Sequence, residues 1–194
     1  MGAPTLLLTG FEPFLDVKVN ASGELAKRLN GVLLDGVEVR SAILPVSFRE
    51  LPGAYEQALQ GTLPLALCSL GVQRAPYYRL ESRARPNLAS AKPDNTGEFA
   101  ADQAPLGESP LVSRAQLGAL GQSLLTAGAG YVRMSEDAGG YLCERCYWEV
   151  LAAAEERGIP GVFLHVPPVE ELDVALQLVP VTAMLRELIR QAKA

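Results

Sequence analysis

Histidine occurs once in this chain, at position 165, and cysteine three times. A single imidazole excludes a histidine-rich metal site, and any general-base work by imidazole falls to His165 alone. An odd number of cysteines does not suit a disulfide framework and points to a reducing compartment. Positive charge is also scarce: 17 Lys and Arg stand against 22 Asp and Glu, a formal net charge of −5. That balance excludes the basic footprint of a nucleic-acid binder. No apolar run reaches the roughly 18 residues of a membrane span. The start, Met1-Gly2-Ala3-Pro4, has no basic n-region, so no signal peptide is expected. Leu6 stands where a myristoylation site would carry Ser or Thr. Repeats and low-complexity tracts are absent as well. The expected class is a cytoplasmic enzyme or binding protein.

What is present suits one folded unit. Hydrophobic residues make up 48% and charged residues 20% of the 194 positions, an ordinary globular balance, and the length suits a single domain over 1–194. Thr5–Thr9 followed by Gly10 reads as a buried strand. Phe11-Glu12-Pro13-Phe14 reads as a loop leaving it, with two aromatics as a lid on the core or as walls of a small-molecule pocket. Asn20–Asn30 reads as a capped helix and Val37–Pro45 as a second strand. Ser47-Phe48-Arg49-Glu50 has the pattern of a capping box opening a helix to about Gln60, with Pro52 inside it. Leu63–Gly71 is a third strand. Residues 72–110 break the rhythm and read as a long irregular insert, with a short strand at Tyr77–Arg83. The rhythm returns with a helix at Ser113–Ala127, a strand at Gly130–Met134, a helix at Gly140–Arg157, a strand at Gly161–Val166 and a helix from about Pro180 to Lys193. The expectation is a single-domain three-layer α/β fold: a twisted, mostly parallel sheet with helices on both faces.

Chemistry concentrates in two segments. Ser135–Val150, SEDAGGYLCERCYWEV, is a glycine-rich turn running into a helix with Cys143 near its start. Unpaired N–H groups and the helix dipole favour a thiolate there. His165 lies at a strand end, where α/β sheets collect ligands, although an isolated histidine there is more often structural than catalytic. Cys143 and Cys146 form a CxxC, open to a redox reading, but the usual redox motif follows the first strand of a βαβ unit. A zinc site would need further Cys or His, and only Cys68 and His165 remain. Cys68, in an apolar run, reads as a core thiol, and Cys146 as a helix-packing one. Read as a nucleophile, Cys143 needs a base and a group to orient that base. Glu81 is a candidate for the latter, although an acid so placed is more often a solvated one and spacing alone does not promote it.

The residues then meet a known pattern. TGFEPF at Thr9–Phe14 with Asn20-Ala21-Ser22, ILPVSF at Ile43–Phe48, LGVQ at Leu70–Gln73 before Glu81, KPDNTG at Lys92–Gly97, AGGYLC at Ala138–Cys143 and FLHVP at Phe163–Pro167 occur in one order. In that order the chain resembles the pyroglutamyl-peptidase I family, the pyrrolidone carboxyl peptidases, along nearly its whole length. The resemblance implies an exopeptidase that removes N-terminal pyroglutamyl residues from peptides through a thioester, with no metal or cofactor. It implies a triad of Cys143, His165 and Glu81, with Phe11 and Phe14 holding the lactam ring. It also implies polar partners at Asn20 and Gln73, and a homo-oligomer, dimer or tetramer. Backbone N–H groups near Cys143 and in the Leu70–Arg74 loop would hold the oxyanion. A redox protein working through the CxxC, or a homologue that binds a pyroglutamyl group with weakened catalysis, is the alternative. The chain departs from the family pattern at Leu15, where the family has Gly, at Arg74-Ala75-Pro76, and at Glu144, where it has Asn.

Overall fold

The computed structural model describes residues 4–194; residues 1–3, which carry much of the reading of the N-terminal start, lie outside them. In chain order the first half comprises β1 (Thr5–Phe11), α1 (Ala21–Leu29), β2 (Leu33–Leu34), β3 (Val37–Leu44), α2 (Leu51–Leu59), β4 (Pro64–Val72) and β5 (Tyr78–Glu81). The second half comprises β6 (Arg83–Ala84), β7 (Leu111–Val112), α3 (Leu117–Thr126), β8 (Val132–Ser135), α4 (Leu142–Arg157), β9 (Gly161–Val166) and α5 (Val174–Ala192), with a 3₁₀ turn at Ala100–Asp102 between β6 and β7.

Seven strands form one sheet in the order β2-β3-β1-β4-β9-β5-β8. The pairs β1–β3, β1–β4, β4–β9 and β5–β8 are parallel. Only β2–β3 and β5–β9 run antiparallel, so the sheet is the mostly parallel one expected. Its central strands read as continuous apolar runs because both faces are covered. Successive side chains point to opposite faces. Leu6, Leu8, Cys68, Leu70, Leu80 and Leu164 therefore pack in one core layer, beneath α1, α3 and α5. Leu7, Phe11, Leu67 and Phe163 pack in the other, with α2 and α4. Helices on both faces of one sheet give the three-layer α/β architecture.

The close approach of α1 to β1 explains two of the motifs. A Cβ on Gly10 would stand 2.2 Å from the Ser22 carbonyl oxygen, so only glycine lets the helix backbone lie that near. Ser22 Oγ then accepts the Phe11 N–H at 3.1 Å and donates to Asn20 Oδ1 at 2.8 Å. Asn20 itself caps the helix by accepting the Ser22 N–H.

Several boundaries differ from the sequence reading. β1 runs two residues further, so Phe11 is the buried end of a strand rather than a loop residue. Helix α2 starts at Leu51, one turn later, because Ser47 Oγ accepts the Glu50 N–H to close a turn first. Pro52 then falls in the first helical turn, where its missing N–H costs nothing. Helix α3 begins at Leu117 rather than Ser113, whose hydroxyl is instead bonded to the Gly161 carbonyl. Helix α5 begins at Val174, capped by Asp173, and carries Pro180 within it. The cap and the buried face of α5 outweigh one lost backbone hydrogen bond. The β2–β3 hairpin was not read at all, although Asp35-Gly36 at its turn, both at positive φ, is a hairpin signature.

Leu15 holds the left-handed backbone that the family's Gly suggests, with φ 49°. It sits in the tight turn closed by the paired N–H and C=O groups of Phe14 and Val17, and its side chain is half exposed. A non-glycine residue in this conformation carries about 1 kcal/mol of strain, part of which glycine's greater freedom in the unfolded chain offsets. Leu15→Gly is expected to raise stability by about 0.5 kcal/mol, read as a shift of the denaturant midpoint at unchanged slope.

Candidate active site

Strand register assembles the site. His165 on β9 lies beside Gly71 of β4 on one flank and opposite Arg79 of β5 on the other. Glu81 is two positions along β5, opposite Phe163. Alternation along the strands brings Gly71, Arg79, Glu81 and His165 to the same face, the one that α4 covers. His165 and Glu81 are buried, and His165 Nδ1 lies 2.8 Å from Glu81 Oε1. The Phe163 ring packs beside the imidazole with centroids 5.0 Å apart. The Tyr147 hydroxyl donates to the Glu81 carbonyl at 2.7 Å and ties α4 to β5.

Cys143 is the second residue of α4, over Gly71. A Cβ at Gly71 would stand 2.9 Å from Cys143 Sγ and 2.8 Å from Phe163 Cζ, so the bare glycine is what admits the sulfur. Cys143 and His165 line one cavity of about 290 Å³, together with Phe14, Gln73, Arg79 and Tyr141. A narrow recess opens off it between Phe11, Phe14, Asn20, Val46 and Leu142, again with Cys143 in its wall. Tyr141 borders both spaces. Its ring packs edge-on against Phe48 at 5.6 Å, and its hydroxyl donates to the Pro93 carbonyl at 2.8 Å.

The conspicuous sequence motifs frame this recess. Glu12 Oε1 accepts the Val46 N–H at 3.0 Å and the Asn95 side-chain amide at 2.9 Å. Asn95 also donates to the Pro13 carbonyl, so three loops distant in sequence hold each other. Asp94 accepts from the Phe48 N–H, the Thr96 N–H and hydroxyl, and the Glu98 N–H. Burial alone would raise the Asp94 carboxyl, but these bonds hold it below the usual carboxylate range.

The start of α4 is anchored by Glu144, which is fully buried. Its carboxylate accepts the Arg85 N–H at 2.7 Å, the Arg85 guanidinium at 2.8 Å and the Gly140 N–H at 3.2 Å. The departure from Asn at this position thus comes with an arginine to pair it. Tyr141, at the N-cap, supplies no side-chain acceptor, which leaves first-turn N–H groups of the helix for another oxygen.

The proposed site residues are not all placed alike. Cys143, His165 and Glu81 come together at one corner of the sheet. Phe11, Phe14 and Asn20 border the recess, with both ends of the Asn20 amide already bonded, to the Glu12 carbonyl and to Ser22. Gln73 lines the outer cavity instead, and its amide donates to the Tyr77 carbonyl at 2.6 Å. The Gln73 N–H donates to Val166 and is not free for an oxyanion. Cys146 is buried, with Sγ directed at Ser69 Oγ at 3.5 Å. Burial pushes its thiol up to about 12, the opposite of what a redox couple needs. The sequence reading missed Arg79, whose Nε lies 2.6 Å from Glu81 Oε1, and Tyr141.

The thiolate expected from the helix dipole meets a stronger opposing effect. Burial pushes the Cys143 thiol well above its ordinary range, and Cys146 and Glu81 push the same way. His165 is lowered on balance, by burial first and by the Arg79 charge, against the hydrogen bond and charge of Glu81, which raise it. Both shifts favour the uncharged forms, a thiol and an imidazole, on the walls of one cavity. A thiol, an imidazole and a carboxylate bonded to its far nitrogen form the array that general-base nucleophilic catalysis requires. Among the described residues, no cluster of His, Cys, Asp and Glu could hold a metal ion.

Comparison with known proteins agrees with the chemistry. The pyroglutamyl peptidase family model matches residues 5–192. The chain is 34% identical over 173 residues to the pyrrolidone-carboxylate peptidase of Halalkalibacterium halodurans, covering 86% of this chain and 85% of that one. The crystal structure of pyrrolidone carboxyl peptidase from Thermus thermophilus superposes with a TM-score of 0.83 at 30% identity, over 94% of this chain and 99% of that one. The Pyrococcus furiosus pyrrolidone carboxyl peptidase shares the fold, with a TM-score of 0.90 at 23% identity over 97% of this chain and 99% of that one. With a family model spanning all but its ends, and relatives alike in sequence and fold, the chain belongs to the pyroglutamyl peptidase family.

Proposed function

We propose that this chain is a cysteine exopeptidase that hydrolyses the bond after an N-terminal pyroglutamyl residue, with Cys143 as nucleophile, His165 as general acid and base, and Glu81 as the group orienting the imidazole. The observation that carries the reading is the 2.8 Å contact of His165 Nδ1 with buried Glu81, in a cavity that Cys143 shares. With Nδ1–H donated to the carboxylate, Nε2 is the proton-free nitrogen. It takes the thiol proton as Sγ bonds to the pyroglutamyl acyl carbon, so a buried ion pair need not exist at rest. First-turn N–H groups of α4 receive the oxyanion. The imidazolium then gives its proton to the departing amine as the C–N bond breaks, and water, deprotonated by His165, cleaves the thioester.

The recess supports the substrate class. A lactam ring is flat, uncharged and mostly apolar, and Phe11, Phe14, Val46 and Leu142 offer apolar walls beside Cys143. Phe11 is fixed in β1, whereas Phe14 stands on the turn at Leu15. The recess as it stands holds only about 20 Å³, so a lactam ring enters as a wall gives way. Phe14 is the aromatic wall not fixed in a strand. Asn20 and Gln73 contribute by fixing the walls, since their amides are bonded to the protein. We read the protein as one domain over 1–194, cytoplasmic and homo-oligomeric. The free state of all three cysteines supports the first location, and exposed Leu176 and Val179 on α5 suit contact with a second copy. No helix among the described residues is long and apolar enough to cross a membrane.

Turnover of a pyroglutamyl amide tests the reading. Cys143→Ser and His165→Ala should abolish it, and Glu81→Gln should lower kcat by about 100-fold or more. Cys146→Ser should keep turnover, which a CxxC redox protein would not. Activity surviving Cys143→Ser would remove the nucleophile. Gly71→Ala should leave a cooperative fold yet cut kcat by about 100-fold, because the added methyl displaces the sulfur. The base must be neutral, and His165 is lowered. The acid limb of kcat/KM should therefore lie below the ordinary imidazole range, with activity falling only as pH drops through that lowered value.

A further inference from the structure

Among the described residues, Arg79 is the one cation in contact with the imidazole, and neither the family pattern nor the sequence reading singled it out. The pairing of β5 with β9 sets it directly opposite His165. Its side chain is largely buried, with 23% of its surface exposed, and it borders the cavity. Two donors converge on one carboxylate oxygen: Arg79 Nε at 2.6 Å and His165 Nδ1 at 2.8 Å from Glu81 Oε1. The other oxygen, Oε2, is buried and has no partner among the described residues. Arg79 Nη2 also stands 3.3 Å from His165 Nδ1. Since Nδ1 donates its hydrogen to Glu81, that approach is no hydrogen bond. It is a guanidinium charge held against the ring.

We propose, on the hydrolase reading given above, that Arg79 is a positioning residue: its guanidinium competes with the imidazole for Glu81 Oε1 and opposes a second proton on His165. An orienting carboxylate left alone in a buried site would draw a proton onto the histidine and trap the base as imidazolium. Arg79 cancels that charge, so Glu81 keeps its directional role and loses its power to over-protonate. The position is enforced, because residues facing each other across antiparallel strands stay in contact.

The other charged groups around the ring do not substitute for it. From β5 come only Glu81 and Arg79, and β4 presents Gly71. From α4 come Cys143 and, further off, Glu144, which acts in the same sense as Glu81 and is engaged by Arg85. Across the cavity stand Asp16, Arg74 and Lys92, with Arg74 paired to Asp16 at 2.9 Å. After burial, the effect that lowers His165 is Arg79.

The single histidine makes the test direct, because the imidazole Cε1–H resonance of the untagged chain reports one titration. Following it with pH in the parent protein, Arg79→Gln and Arg79→Lys separates charge from packing. Loss of the charge should raise the His165 midpoint by about 1 pH unit, whereas lysine should return it close to the parent value. The acid limb of kcat/KM should move upward by the same amount in Arg79→Gln. Should that variant not fold, Arg79→Met keeps the apolar stem and carries the same expectation. An unmoved midpoint in the uncharged variant overturns the proposal, and so does a lysine variant that shifts as far as glutamine. A shifted resonance in a chain without turnover supports the charge relation while sinking the hydrolase reading.

Discussion

The geometry at the imidazole depends on β5 running against β9 inside a sheet whose other central strands are parallel. His165 sits near the C-terminal end of β9, where a parallel sheet opens to ligands. A neighbour running the other way carries its later residues inward. Glu81, two positions after Arg79, therefore lies opposite Phe163 and deeper than the histidine. Depth explains its complete burial, and burial gives its single bond to the imidazole weight in a low-dielectric setting. Had β5 been parallel, a carboxylate two residues on would have pointed out toward solvent.

Around that fixed pair, the loops are held by polar groups that point inward rather than by apolar packing alone. Glu12, Asp94 and Asn95 tie the segments after β1 and β3 to the PDNTG stretch, and Glu144 ties the start of α4 to Arg85. Buried carboxylates of this kind are costly unless each oxygen is served. Glu144 and Asp94 meet that condition fully. Glu81 does not, since Oε2 is left over, and it is the carboxylate bonded to the imidazole. The acids that hold loops are thus fully served, and the one short of a partner is the one facing the histidine.

The layered fold could be read from the sequence because its signals are local. Apolar runs closed by glycine, the Asn20 cap and the spacing of Leu25 and Leu29 each act within a few residues. Boundaries were read less well where a distant partner decides them. Ser113 is drawn out of helix by the Gly161 carbonyl, and Phe11 is held in strand by Ser22 and Leu44. Cys143 and His165 stood out as the thiol at a helix start and the single imidazole. A resemblance of ordered motifs was needed to join them to Glu81, because no spacing along the chain relates residues 81, 143 and 165. Arg79 was not visible for the same reason. On paper it is one arginine among several in an irregular stretch, and only the antiparallel register brings it to the ring. The helix-dipole argument for a thiolate failed on burial, a quantity that belongs to the folded molecule.

The two core layers also divide by parity. On β1, β4, β5 and β9, even-numbered positions such as Leu8, Leu70, Leu80 and Leu164 enter the layer under α1, α3 and α5. Odd-numbered ones such as Phe11, Gly71, Arg79, Glu81 and His165 belong to the side of α4 and of the cavity that Cys143 and His165 line. Evolution can therefore retune thermal endurance through one set of side chains while selectivity drifts through the other, with adjacent codons answering to separate pressures.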